Sequence, residues 1–497
     1  MTNLLSRLLG CVLCWGVVDT DAAEIPLQVG VAQIDITPPV GFPMAGYYHE
    51  RLATGMKDPL WAKAVVWKSD STQAAWVACD LTGIGVDLST VVRRRAAEQT
   101  GIPVVNIILS ATHSHTAPDY SAALYQHLGP AEAISSERDR ERAAYAGKLI
   151  DGIVAAIVAA HAAAAPCDVA AGTVTQTTPV SFCRRFLMKD GSVRTWVGLK
   201  HPEALRATAP IDPEIGLLQI TPVGAGQPIG FLSNFALHLD TVGGLEWSAD
   251  YPHFIEQSIR GKLGPQVVSL FGAGCCGDIN HADPTGAPRN KTDMIGSSLG
   301  GTITAGLGNL RPIGSPLLQA RSQVVSLPIP DVSADEVARS ILLVTAAGQG
   351  EKIDFFDHVT AYKRLIIDTL RHPQPNAEAQ ALLSWGRTRT WQGVGETLPV
   401  EIHTITLGSD AALVFLPGEV FVELGLAIKR ASPFKTTLIV ELSQCVETLY
   451  VPNRQAYAGG GYEVTNSMLQ PGGGEMLVEA AVGLLRESAA ALQPAKP

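Results

Sequence analysis

The chain has 497 residues, of which 46% are hydrophobic and 17% are charged. This balance is typical of an ordered globular protein, and the length suits one large domain or two to three ordinary ones. The formal net charge is −10 and no basic stripe is present, which argues against nucleic acid as a partner.

The N-terminal residues are typical of an export signal. Arg7 supplies a positive charge, residues 8–18 are apolar, and residues 20–23 are small enough for cleavage. We expect residues 1–22 to be a signal peptide and residues 23–497 to form a single domain of an exported protein. The apolar run is shorter than the ~20 residues that cross a bilayer, and we expect no transmembrane segment in the rest of the chain.

Six of the eight cysteines lie outside this expected signal peptide. None of the six forms a C-x-x-C pair, so a thiolate zinc site is not expected. An exported protein can form disulfides, but the sequence does not determine a pairing.

The first part of the domain follows the order strand, helix, strand. Apolar runs and turn residues predict the following elements in chain order: strands at 29–36, 62–67 and 74–79, a helix at 88–99 and a strand at 104–109. A helix between two strands is typical of a βαβ unit, which pairs its strands in parallel.

The same signals continue to the end of the chain. They predict strands at 216–220, 229–237, 266–271, 411–416 and 437–442, and helical segments at 142–164, 333–391, 419–430 and 475–492. The expected fold class is therefore α/β, with a mixed, largely parallel sheet flanked by helices.

Polar side chains follow most of these strands. Seven of them come shortly after a predicted strand end: Asp80, His113, His115, His238, Asp278, Glu419 and Tyr450. In open α/β sheets the ligand crevice lies outside the carboxyl ends of the strands. Two histidines and a carboxylate are a common catalytic zinc set, and zinc lowers the pKa of a bound water toward ~7. We expect a metal site there; the alternative is a set of incidental polar residues, with the His-x-His pair on the surface.

Several motifs in this order resemble the neutral (alkaline, non-lysosomal) ceramidases, specifically their zinc-dependent N-terminal catalytic domain. The resemblance rests on Asp35-Ile36-Thr37-Pro38-Pro39, the segment 110–118, Asn234-Phe235-Ala236-Leu237-His238, Gly277-Asp278-Ile279, Pro417-Gly418-Glu419, and Tyr450 with Tyr462-Glu463. Together with the flanking strands and helices, the similarity spans residues 29 to about 485.

The resemblance implies one Zn²⁺ per chain, and it assigns roles to individual residues. The implied zinc ligands are His113, His238, Glu419 and Tyr450. His115 would be the acid/base group, and Tyr462 would donate a hydrogen bond to the scissile amide. Arg184 resembles an arginine that lines the family's site, although Arg185 competes for the same place.

The implied activity is that of an exported zinc-dependent amidohydrolase using metal-activated water. In the nearest family case it would convert N-acylsphingosine to fatty acid and sphingosine, so the expected partner is a small-molecule amide such as a ceramide-like lipid. One alternative is a zinc hydrolase of a non-lipid amide or ester on the same scaffold. Another is a catalytically silent binding protein, against which the full set of implied ligands argues.

Two departures from the family bear on the substrate. Ceramidases carry the motif Gly-Asp-Val-Ser-Pro-Asn, whereas this chain has Gly277-Asp278-Ile279-Asn280-His281, with Asn280 at the serine position. Asparagine is not a nucleophile, but its amide can still hydrogen-bond substrate or water, so Asn280 remains a candidate site residue. The second departure is that we expect no C-terminal sandwich domain.

Overall fold

The computed structural model of the chain describes residues 27–69, 72–130, 134, 136–314 and 316–492. The expected signal peptide lies outside these residues. The strands are β1 (Gln28–Asp35), β2 (Pro43–Met44), β3 (Arg51–Leu52), β4 (Gly55–Met56), β5 (Trp61–Lys68), β6 (Gln73–Cys79), β7 (Ile107–Ala111), β8 (Ala165–Thr175), β9 (Phe182–Cys183), β10 (Arg185–Met188), β11 (Val193–Thr195), β12 (Ala204–Ala207), β13 (Glu214–Pro222), β14 (Gly230–Phe235), β15 (Glu246–Trp247), β16 (Val268–Ala273), β17 (Ile279–Asn280), β18 (Arg311–Pro312), β19 (Leu318–Pro328), β20 (Thr397–Leu407), β21 (Ala411–Phe415), β22 (Glu419–Val420), β23 (Thr436–Val440) and β24 (Tyr450–Val451).

The helices lie between these strands and after them. They are α1 (Val86–Thr100), α2 (Ser121–His127), α3 (Glu137–Ala162), α4 (Tyr251–Leu263), α5 (Thr292–Ala305), α6 (Ala334–Gly348), α7 (Phe355–Arg371), α8 (Ala377–Leu382), α9 (Val422–Ala431), α10 (Ala456–Gly459), α11 (Tyr462–Thr465) and α12 (Gly473–Ala490). The strand predicted at 104–109 begins too early, because Val104–Asn106 forms a 3₁₀ turn after Pro103 and the strand itself is β7.

The larger sheet has the strand order β16-β14-β13-β8-β1-β5-β6-β7. The mixed α/β class is confirmed, but the parallel share of this sheet is smaller than expected. Only the outer pairs β14–β16 and β6–β7 are parallel, and the pairs between them are antiparallel. The reason is that short connections, such as the one between β5 and β6, join antiparallel neighbours, whereas parallel neighbours need a crossover.

A second sheet of four strands, in the order β19-β20-β21-β23, packs against one face of the larger sheet. The interface is a buried apolar cluster in which Trp76 and Leu270 of the first sheet meet Phe415 and Leu438 of the second. Helices cover the outer faces: α1 and α3 lie on one end of the larger sheet, α4 and α5 on the other, and α9 and α12 on the second sheet.

Helix α3 is, among the described residues, long and apolar enough to cross a membrane by length and composition alone. However, 56% of its most apolar window is buried inside the protein. Leu149, Ile153 and Ile157 are covered by β1, β5 and their neighbours, which is typical of a core helix.

The parallel pairs of the two large sheets, β6–β7, β14–β16 and β21–β23, end at one edge of the molecule. Backbone hydrogen bonds join them there: Ala111 N donates to Leu442 O at 3.1 Å, and Glu441 N donates to Ala273 O at 2.9 Å. The segment that follows β23 therefore lies between the ends of β7 and β16. Residues that follow strands of both sheets consequently meet at this edge.

Candidate metal centre and active site

His113 follows β7 in an unusual backbone conformation. Its φ is +82°, in the left-handed region that L-residues other than glycine rarely adopt. Its backbone N donates to Leu81 O at 2.9 Å, and its Nδ1 lies 2.7 Å from Thr82 O. Such strain is typical of functional positions that the surrounding structure holds in place.

His238 follows β14 and faces His113. Its Nδ1 lies 3.0 Å from Cys276 O, so both rings have Nδ1 against a backbone carbonyl. A carbonyl only accepts, which makes Nδ1 the protonated nitrogen of each neutral ring and leaves Nε2 with a lone pair. The two Nε2 atoms are 3.1 Å apart. Two lone pairs at this distance repel each other unless a cation lies beside them.

Glu419 supplies an oxygen to the same point. Its Oε2 lies 3.4 Å from His113 Nε2 and 3.3 Å from His238 Nε2. This oxygen is buried and has no hydrogen-bond partner among the described residues. Burial alone would raise the pKa of Glu419, but the two imidazoles lower that pKa well below its ordinary value. The set of two nitrogens and one carboxylate oxygen fits a zinc ion.

Tyr450 is the register partner of Glu419, because β22 and β24 pair in parallel. Its hydroxyl accepts a hydrogen bond from Arg184 Nη2 at 3.0 Å, and burial raises the pKa of Tyr450 well above its ordinary value. Arg184 Nη1 also lies 3.3 Å from His238 Nε2. Arg185 instead donates to Glu463 and to Gly460 O. The structure thus places Arg184, and not Arg185, beside the implied ligands.

His115 lies beside the other two histidines. Its Nε2 is 3.3 Å from His113 Nε2, and His113, His115 and His238 each place one nitrogen within 4.8 Å of the others. Burial, followed by the other two imidazoles, lowers the pKa of His115 to about 3. The ring packs against Gly46, where a Cβ would lie 2.7 Å from His115 Nδ1. This geometry suits His115 either as a third imidazole ligand or as an acid/base group.

Two cavities open onto this centre. The smaller cavity, of about 170 Å³, is lined by residues that include Tyr48, Tyr120, Trp385, Tyr450, Tyr462 and Asn466. The larger cavity, of about 600 Å³, is lined by residues that include His115, Arg184, Trp196, His238, Asp240 and Phe355. Tyr462 lines both, and its ring centroid lies 5.7 Å from that of Tyr450.

Comparison with known proteins bears on this centre. Residues 27–244 match the model of the family described as neutral/alkaline non-lysosomal ceramidase, N-terminal. The resemblance to the neutral ceramidases is confirmed. The matched range contains the three histidines of the centre, His113, His115 and His238, and it ends before Glu419 and Tyr450.

Solved ceramidase structures share the fold. The neutral ceramidase from Pseudomonas aeruginosa is 19% identical, with a TM-score of 0.66 over 93% of this chain and 75% of that one. A ceramidase complexed with C2 is 20% identical, with a TM-score of 0.66 over 94% of this chain and 76% of that one. No curated protein sequence matches the chain. At this level of identity the structural likeness shows a common fold.

Two other residues of the strand-end set bond to neighbouring backbone. Asp80 accepts hydrogen bonds from Trp61 N and the Thr112 hydroxyl. Asp278 accepts one from Val422 N, the first residue of α9. Neither aspartate is among the residues that line the two cavities. Both aspartates therefore stabilise the backbone near the strand ends by hydrogen bonds.

Asn280, at the position of the family serine, is buried in the short strand β17. Its Oδ1 accepts a hydrogen bond from Ala282 N at 3.1 Å, and Asn280 does not line either of the two cavities. A role for this side chain in binding substrate or water stays a prediction.

Sequence reasoning assigned no role to two carboxylates of the site. Glu463 is fully buried and accepts hydrogen bonds from Arg184 Nε at 2.8 Å and Arg185 Nη1 at 2.7 Å, so it holds both arginines. Its position directly after Tyr462 is the sequence feature that could have marked it as a site residue. Asp240 lines the larger cavity two residues after His238, and that spacing was its signal.

Proposed function

We propose that the chain is an exported, zinc-dependent hydrolase that cleaves amide bonds in the manner of the neutral ceramidases. The observation that carries the proposal is the convergence of two imidazole lone pairs and one unpartnered, buried carboxylate oxygen in a chain with a ceramidase family match. Export is supported only by the sequence of residues 1–22.

We assign one zinc ion per chain to His113, His238, Glu419 and Tyr450. The backbone carbonyls behind both histidines fix the tautomer that presents Nε2, which is the usual support for a metal-binding imidazole. A zinc ion bound there would polarise the amide carbonyl and activate a water molecule for attack.

The chain's own residues then orient the amide and move protons. His115 accepts a proton from the attacking water and delivers one to the leaving nitrogen. The Tyr462 hydroxyl donates a hydrogen bond to the carbonyl oxygen as negative charge develops on it. Arg184, held by Glu463, keeps the Tyr450 oxygen in position through its hydrogen bond. Because Asn280 replaces the family serine, water attacks directly and no acyl-enzyme forms.

The proposed substrate is a small-molecule amide of the ceramide type. Aromatic side chains such as Tyr48 and Trp385 give the smaller cavity an apolar lining that suits an acyl chain. One of the similar solved structures is a ceramidase complexed with C2, which supports the same class. The competing candidate, a non-lipid amide, is favoured by the carboxylate of Asp240 in the larger cavity.

A substrate screen tests the proposal. Zinc-loaded protein is assayed against N-acylsphingosines, short N-acyl amines and the corresponding esters, with chelator-treated protein as the control. We expect hydrolysis of at least one amide series that chelation abolishes and zinc restores. Hydrolysis that persists after the metal is removed, or activity on esters alone, would contradict the proposal.

A further inference from the structure

Asp240 places a carboxylate in the larger cavity, close to the histidine centre. It lies two residues after His238, and its side chain is 24% exposed. Its Oδ1 is 3.1 Å from His281 Nδ1, and His281 is itself buried, with a side chain that is 4% exposed. The imidazole thus holds the carboxylate at the cavity wall while the rest of the group stays accessible.

This pair distinguishes the chain from the ceramidase motif. In Gly-Asp-Val-Ser-Pro-Asn the position of His281 is proline, which has no side-chain nitrogen to bond a carboxylate. The contact between Asp240 and His281 thus depends on the segment in which this chain departs from that motif. Residues that line the site and differ from the family motif are the ones that can bind a different substrate.

The charges around the larger cavity are unbalanced. Its lining includes a second carboxylate, Glu351, and one arginine, Arg184. The Arg184 guanidinium is already committed, because it donates to Glu463 Oε1, Gly277 O and the Tyr450 hydroxyl. Among the described residues of the lining, no other lysine or arginine is present to balance Asp240. The proposed zinc ion supplies positive charge at the histidine centre, so the complementarity concerns Asp240 itself: a ligand group that contacts its carboxylate is complementary when it carries positive charge.

We propose that Asp240, oriented by His281, binds a cationic group of the amide substrate, such as the free ammonium of an acylated diamine. Trp196 lines the same cavity with 48% of its surface exposed, and its aromatic face suits the same cation. The proposal rests on the proposed amide hydrolysis and names its substrate class: an amide with an apolar acyl part and a second, charged amine.

Two amides of equal length test this assignment. N-hexanoyl-cadaverine ends in an ammonium, and N-hexanoyl-hexylamine ends in a methyl group at the same position. A hydrogen-bonded charge contact at a partly exposed site should favour the cationic amide by about tenfold in kcat/KM. Asp240→Asn should remove this preference. The control Asp283→Asn should keep the preference, because Asp283 is a partly exposed aspartate of the loop that carries His281 and its carboxylate bonds Thr285.

The outcomes separate the two proposals. Equal kcat/KM for both amides in the unmodified protein, or a preference that survives Asp240→Asn, overturns the role of Asp240. If Asp240→Asn does not fold, His281→Asn serves instead, and it should reduce the preference at least threefold; an unchanged preference overturns the role of the pair. If neither amide is hydrolysed, calorimetric dissociation constants of the same two amides still test Asp240, whereas the absence of hydrolysis counts against the proposed function.

Discussion

The metal-facing wall of the site and the wall of the larger cavity are built by different parts of the fold. His113 and His238 directly follow strands of parallel pairs, and backbone carbonyls hold their second ring nitrogens. The larger cavity is closed by irregular segments and by the start of α7, which bring Trp196, Asp240 and Phe355 to it. Strand ends thus place the two histidines proposed as metal ligands, and irregular segments place the groups proposed for substrate choice.

The first test of this difference removes an acid/base group from the metal-facing wall. His115→Ala should lower kcat on the best amide substrate by about 10²–10⁴ while zinc stays bound, because general acid/base help is worth that much. Turnover and zinc content are measured on the same preparation. Loss of zinc from this variant would instead make His115 the third imidazole ligand, and near-normal turnover would remove it from the chemistry.

A second test removes the hydroxyl of Tyr462, a residue that lines both cavities. Tyr462→Phe should lower kcat by about 10² and change KM little, because its hydrogen bond strengthens as charge develops on the carbonyl oxygen. Steady-state kinetics on one amide separates the two constants. A variant with raised KM and normal kcat would show that Tyr462 binds substrate without taking part in the reaction.

A third test disturbs His115 indirectly. A Cβ on residue 46 would press on the His115 ring, so Gly46→Ala should lower kcat by about tenfold with zinc content unchanged. Gly41 offers a matched control, because its φ of +86° resembles the +96° of Gly46 but nothing lies within 4 Å of its added Cβ. Gly41→Ala should share the backbone strain without the loss of turnover. Equal losses in both variants would refute the contact with His115.

A fourth test concerns stability near the smaller cavity and not turnover. Burial raises the pKa of Glu447 to about 8, and its Oε1 accepts a hydrogen bond from Val86 N. Because the folded pKa lies above the unfolded value, this group's contribution is fully present below about pH 4 and is lost as pH rises toward 8. The glutamine of Glu447→Gln stays neutral at every pH. The free energy of unfolding of this variant should therefore fall less steeply with pH than that of the unmodified protein, and the two slopes should differ by at most about 1.4 kcal/mol per pH unit. If denaturation experiments give the two proteins the same dependence of the unfolding free energy on pH across this range, the raised pKa of Glu447 is contradicted.

The sequence indicated the metal-facing wall because short, fully buried strands are continuous apolar runs that end in polar residues. β7 and β14 are fully buried and mostly apolar, and the strand-end residues His113 and His238 meet as expected. Strand direction was less accessible, because periodicity carries no information on pairing. β8 was missed because its small residues, alternating between buried and exposed, form no apolar run.

The loop wall was largely beyond sequence reasoning. Glu463 reaches Arg184 across 279 positions of the chain, and His281 reaches Asp240 across 41. Nothing in the local pattern around these residues specifies such a partner. Only the tertiary arrangement of the strand ends brings them together.

The most direct test of the central claim is the zinc content of the purified protein and of its histidine variants. The unmodified chain should hold about one zinc per chain. His113→Ala and His238→Ala should lose the metal and amide hydrolysis together. His253→Ala is the control, because His253 bonds Gln257 on the surface of α4 and should keep both. Full zinc content in His113→Ala or His238→Ala would contradict the metal centre proposed for this chain.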